Sequence, residues 1–133
     1  MPEARRTKET NARFEPDAAE LSLPSERPKL FWSEARQYVR DGRFSSCDFY
    51  VNGYGVVICS DNCSPSREDR PDLTEGGVGY GIRRVTAERA KSAYNAVEVA
   101  AELMDRYGYI DSGRSYHFAD KDEIWVICRK TRT

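Results

Sequence analysis

Gly76-Gly77-Val78-Gly79-Tyr80-Gly81-Ile82-Arg83-Arg84-Val85, followed by the alanine-rich segment Thr86–Tyr107, is the stretch around which the chain is read. In the second part Ala90, Ala93, Tyr94, Val97, Ala100, Ala101, Met104 and Tyr107 recur at three- and four-residue spacing. That period puts them in one stripe on an α-helix, with Glu88, Lys91, Asn95, Glu98, Glu102, Asp105 and Arg106 on the opposite side. Small residues along the stripe allow close approach to a sheet. Thr86 is placed as the N-cap, Glu88 near the positive end of the helix dipole, and Gly108 as the stop. Ala96, Val99 and Leu103 fall on the shoulder of the stripe, where another segment of the chain or a partner has to cover them. Before the helix, Val78, Tyr80 and Ile82 alternate with Gly79, Gly81 and Arg83, which predicts a strand with one nearly bare face.

Working outward, Met1 to about Pro28 carries four prolines, little apolar content and mixed charge, and reads as an N-terminal arm, flexible or docked through Leu21 and Leu23. Residues 29–133 then form one α+β domain. Phe31, Ala35, Tyr38 and Val39 share a helical face, so a short helix is expected over Lys29–Arg40, stopped by Asp41-Gly42. Two strands follow, about Phe44–Val51 and Tyr54–Ser60, joined by Asn52-Gly53 as a tight hairpin. A second hairpin is expected from about Ser115–Phe118 and Ile124–Cys128, turning at Asp120-Lys121-Asp122. Its last strand is apolar on both faces, which calls for cover on both sides from the first helix and the arm or from a second copy of the chain. The expected fold is an antiparallel sheet of about five strands packed by one long Ala-rich helix and one short helix.

Composition narrows the function. The 133 residues are 32% charged, with mean hydropathy -0.74 and a net charge of -1 from 21 basic and 22 acidic side chains. That balance argues against a protein devoted to nonspecific phosphate-backbone binding. No run is apolar enough to span a bilayer and the N-terminus carries no signal-peptide core, so a cytoplasmic protein without membrane partners is expected. Cys47, Cys59, Cys63 and Cys128 read as reduced thiols.

No catalytic signature stands out. Cys59 and Cys63 have the spacing of a ligand pair, but zinc sites commonly use two pairs and there is no second; no metal or cofactor is expected. A cysteine nucleophile needs a base, and His117, between Tyr116 and Phe118 on a predicted strand, is the chain's one histidine. A lone strand histidine is more often a surface or packing residue. The glycines do not give the dinucleotide fingerprint. Gly79-Tyr80-Gly81 matches the middle of the RRM ribonucleoprotein signature, yet Ile82 and Val85 stand where stacking aromatics belong.

Elimination leaves a non-enzymatic interaction module: a small adaptor, inhibitor or assembly protein docking on a protein partner. Its polar contacts are expected from the acidic loop, at Asp61, Glu68, Asp69, Asp72 and Glu75. Two alternatives are a nucleic-acid binder using Arg83, Arg84, Arg89 and Lys91, and a thiol- or metal-dependent enzyme working through Cys59 or Cys63. A homo-oligomer is compatible with all three.

Overall fold

The computed structural model describes residues 5–6, 11–13, 17–40, 44–62, 72–79, 81–110 and 113–129. Five antiparallel strands form the main sheet in the order β5-β6-β7-β8-β9: β5 (Leu30–Arg40), β6 (Phe44–Asn52), β7 (Val57–Asn62), β8 (Arg114–Ala119) and β9 (Ile124–Arg129). Two helices, α1 (Gly81–Arg89) and α2 (Ala93–Tyr107), pack against this sheet. The α+β arrangement expected from sequence is therefore present. Tyr50, Ile58, Tyr116 and Phe118 point from the sheet into a core completed by Ile82, Val85, Ala93, Ala96, Ala100, Leu103 and Met104 of the helices. Each large apolar side chain buried there contributes roughly 1.5–3 kcal/mol.

Both expected hairpins form, but the first does not turn tightly at Asn52-Gly53: β6 runs through Asn52, β7 starts only at Val57, and the positive-φ glycine of the connection is Gly55. β8 and β9 turn at Asp120, whose carboxylate accepts from the amides of Asp122 and Glu123 at 2.8 and 3.1 Å and, through its other oxygen, from Ala93 at the start of α2 at 2.7 Å. The β6–β7 connection is governed by a side chain. Asn52 Oδ1 accepts from the amides of Tyr54 and Val56 at 3.0 and 3.1 Å, while its Nδ2 donates to the carbonyls of Ala87 and Ala90 at 3.1 and 2.7 Å. One buried amide thus closes the hairpin loop and caps the last turn of α1. Asn52→Ala strands two carbonyls and two amides, and is expected to cost about 3 kcal/mol of unfolding free energy in a urea titration.

Three elements differ from the sequence reading. Leu30–Arg40 is a strand, not a helix: it pairs with β6 through Leu30↔Asn52, Phe31↔Val51 and Trp32↔Tyr50, with register shifts further along. The ladder with β6 outweighs the helical spacing of Phe31, Ala35 and Tyr38. Asp41-Gly42 lies outside the described residues. Among the described residues the glycine-rich strand does not form: Val78 makes one isolated parallel bridge to Tyr109 and Gly81 already begins α1. The long helix is broken: α1 ends at Arg89, and Ser92 caps α2, accepting from the Asn95 amide at 3.0 Å. Thr86 lies inside α1, while Gly108 does end α2, with φ 74 and its amide bonded to the Met104 carbonyl. The break rotates the buried stripe, so that Ala96 and Leu103 are covered within the chain and Tyr94 is exposed.

The glycines serve the arm. Its short strands β3 (Leu21–Ser22) and β4 (Glu26–Arg27) pair antiparallel with β2 (Asn11–Ala12) and β1 (Arg5–Arg6) respectively. Ala18, Ala19, Leu21 and Leu23 are buried, and the Ala19 amide donates to the Gly77 carbonyl at 2.9 Å. Gly76, at φ +89, allows this approach, because a Cβ there would stand 1.7 Å from the Asp17 carbonyl oxygen. Farther along the arm, Arg27 Nε lies 3.8 Å from Glu88 of α1, whose other carboxylate oxygen takes Arg84 Nη2 at 2.7 Å and Nε at 2.8 Å. The Arg84 guanidinium also lies over the Trp32 and Tyr50 rings.

Candidate active site

The helices cover one face of the sheet, and among the described residues no element packs on the other, the open face. Alternation along β8 buries Arg114, Tyr116 and Phe118 and turns Ser115, His117 and Ala119 the other way. Register then assigns the open face: Phe31 on β5, Phe49 and Val51 on β6, Val57, Cys59 and Asp61 on β7, and Ile124, Val126 and Cys128 on β9. Ile124 and Val126 are 74% and 51% exposed. The expectation that the last strand is covered on both faces is thus corrected: among the described residues nothing lies over this side of β9.

At the middle of this face Cys59 and His117 are direct cross-strand partners, 58 residues apart in sequence. Facing side chains in such a pair have Cβ atoms about 4.5–5.5 Å apart. Asp61 follows on the same face, its Oδ2 4.0 Å from His117 Nε2, with the imidazole 38% and the carboxylate 87% exposed. At that separation and exposure the pair is loose and is charged on both sides only when His117 is protonated. On β9, Cys128 lies beside Ser115, with the hydroxyl and thiol 3.6 Å apart.

Burial pushes the Cys59 thiol up, and the Asp61 carboxylate adds to that; the Arg83 guanidinium opposes both. Cys59 is therefore a neutral thiol near pH 7 and needs a base before it can attack. Asp61→Asn removes one of the two raising influences, so iodoacetamide should alkylate Cys59 faster at pH 8 in this variant than in the parent, read by peptide mass spectrometry. On the covered face, the Tyr116 hydroxyl donates to that of Tyr109 at 3.0 Å, and burial, with Tyr109 beside it, pushes its ionisation far up. It is a structural donor rather than a base.

Residues 66–130 match the family model of Peptidase family C69. The match spans 65 of 133 residues, just under half of the chain, and covers α1, α2, β8 and β9. His117, Ser115 and Cys128 fall inside it; Cys59 and Asp61 precede it. No curated protein matches the chain.

The match corrects the expectation of a non-enzymatic adaptor, inhibitor or regulator, because likeness to a peptidase family conflicts with it. From sequence alone His117 is a lone strand residue. Its proximity to Cys59 comes from the β7–β8 register, which spacing along the chain does not reveal.

The other residues singled out from sequence are dispersed. Asp61 is on β7 rather than in a loop, Asp72 and Glu75 are exposed before α1, and Glu68, Asp69 and Cys63 lie outside the described residues. Thr74 between Asp72 and Glu75 donates its amide to the Tyr107 carbonyl at 2.8 Å, which ties that segment to the end of α2. Of the basic set, Arg83 is buried, Arg84 is held by Glu88, Arg89 bonds the Ser22 carbonyl and hydroxyl, and Lys91 is exposed. No group of three or more potential metal ligands occurs among the described residues. Among the same residues no helix is long and apolar enough to cross a membrane.

Proposed function

We propose that the protein hydrolyses amide bonds in peptides, with Cys59 as the nucleophile, His117 as the general base and Asp61 as the carboxylate facing the imidazole. The observation that carries this reading is the direct cross-strand pairing of Cys59 with His117 on the open sheet face. The likeness of residues 66–130 to a peptidase family supports it by pointing to the same chemistry.

The raised ionisation of Cys59 sets the order of events. The thiol proton passes to His117 as sulfur attacks the carbonyl carbon, in one general-base step rather than from a standing thiolate. With Nε2 turned toward Asp61, Nδ1 is the nitrogen left for the thiol, and the imidazolium formed is stabilised by the Asp61 charge. Collapse of the tetrahedral adduct breaks the C–N bond, and His117 returns its proton to the leaving amine. Water, deprotonated by His117, then hydrolyses the thioester and releases the carboxylic acid and the free thiol.

Phe49, Val57 and Val126 surround the pair and offer apolar contact to a peptide's side chains. A reduced thiol at Cys59 suits the cytoplasm, the location this reading favours. The test is amine release from a pool of di- and tripeptides, before and after alkylation of the protein. Release that stops as Cys59 is modified supports the proposal; release unaffected by complete modification of Cys59 overturns it, as does its absence from the untreated protein.

A further inference from the structure

The two edges of the main sheet differ. β5 carries Glu34, Arg36 and Arg40 and has two register shifts in its pairing, both features that discourage strand addition. β9 pairs without a register shift, and its one charged residue, Arg129, stands at its very end. From Ile124 to Cys128 it is Ile-Trp-Val-Ile-Cys, free of proline, glycine and charge, with Ile124, Trp125 and Val126 exposed at 74%, 40% and 51%. Tyr94 of α2, itself exposed, stands edge-on to Trp125 at 5.2 Å, so apolar surface continues on the helix side of the same edge.

Charge is arranged asymmetrically around this strand. Asp120, Asp122 and Glu123 precede it, and Arg129, Lys130 and Arg132 follow. At the acidic end, Asp120 is occupied by three backbone amides and Asp122 by Lys121 Nζ at 2.7 Å. Glu123 is the carboxylate left over.

We infer that two copies of the protein pair antiparallel along β9, about a two-fold axis through Val126, and join their sheets into one of ten strands. In that register Glu123 faces the partner's Arg129, Ile124 the partner's Cys128, Trp125 the partner's Ile127, and Val126 its own counterpart. The acidic start of each strand meets the basic end of the other, and a two-fold interface requires this self-complementarity. An unrelated peptide has no reason to match both ends. Trp125 and Tyr94 would then close over the partner's Ile127. This inference is independent of the proposed hydrolysis.

Sedimentation velocity of the full chain from about 1 to 200 µM tests it. The parent is expected to dimerise. Glu123→Arg sets like charges opposite each other at both symmetric positions and should raise the dimer Kd about tenfold. Adding Arg129→Glu in the same chain should restore it, since the swapped charges again face each other. Val126→Lys places two lysines on the axis and should give a monomer with an unchanged circular dichroism spectrum. A parent that stays monomeric over this range, including one that accepts an added peptide along β9, overturns the inference. So does a dimer indifferent to both Glu123→Arg and Val126→Lys.

Discussion

Cys59→Ala is expected to abolish peptide hydrolysis, lowering kcat by at least about 10³-fold, because a methyl group cannot form the acyl intermediate. His117→Ala should lower kcat by about 10²- to 10⁴-fold, the usual range for loss of a general base. The two losses should not add, since the base has nothing left to deprotonate once the thiol is gone. Both positions are on the open face, where neither side chain fills the core, so the variants should fold like the parent. Unchanged thermal unfolding separates loss of chemistry from loss of structure. Cys128→Ala supplies the control: Cys128 is exposed beside Ser115, diagonal to His117 across the β8–β9 pair, and its removal should leave kcat unchanged. A Cys128→Ala variant that lost activity while Cys59→Ala kept it would move the nucleophile to β9.

The largest structural effect is expected at Glu88. Its side chain is fully buried between Arg84 and Arg27, and that second contact is one of the ties between the arm and α1, beside Arg89 with Ser22. Glu88→Ala leaves two guanidinium groups without the charge that faced them. Breaking a buried ion pair from one side costs about 3–5 kcal/mol, a large share of the roughly 5–15 kcal/mol by which a domain is stable. At about 4 °C per kcal/mol, Tm should fall by about 12–20 °C. Glu88→Gln keeps the volume and an acceptor for Arg84, so it should lose less. Amide exchange should rise first in residues 17–28, where one of the arm's ties is lost, and around Trp32, where the Arg84 guanidinium is released from its fixed position.

Local chemistry made the hairpins readable from sequence. The Asp120 turn declares itself by residue type and Gly108 ends α2 as a positive-φ cap should, while Asn52 marks a connection that is longer than the two-residue turn expected and takes its positive φ at Gly55 rather than Gly53. Even there, the buried Asn52 amide does more than a turn residue: it also caps α1, a tie across the fold that spacing does not express. β5 was hidden because Phe31, Ala35 and Tyr38 fit a helical period, and pairing with β6 overrides it. The sequence suggested bare, approachable backbone at Gly79 and Gly81, whereas the close approach recorded is at Gly76, where the chain's own arm comes against it, and the arm's Ala19 amide bonds the Gly77 carbonyl. Cys59 and His117 were each visible as chemical groups, and His117 as the only base. Their meeting depends on the register of two strands separated by both helices, and Ala119↔Val57 could not be told from a neighbouring register by pattern alone.

Acid quenching during turnover, followed by peptide mapping of the protein, tests the central claim most directly. An acyl group from the substrate is expected in thioester linkage on Cys59, absent from Cys59→Ala and longest-lived in His117→Ala, where water lacks its base. An acyl group found on another residue, or steady hydrolysis with Cys59 unmodified throughout, would contradict the claim.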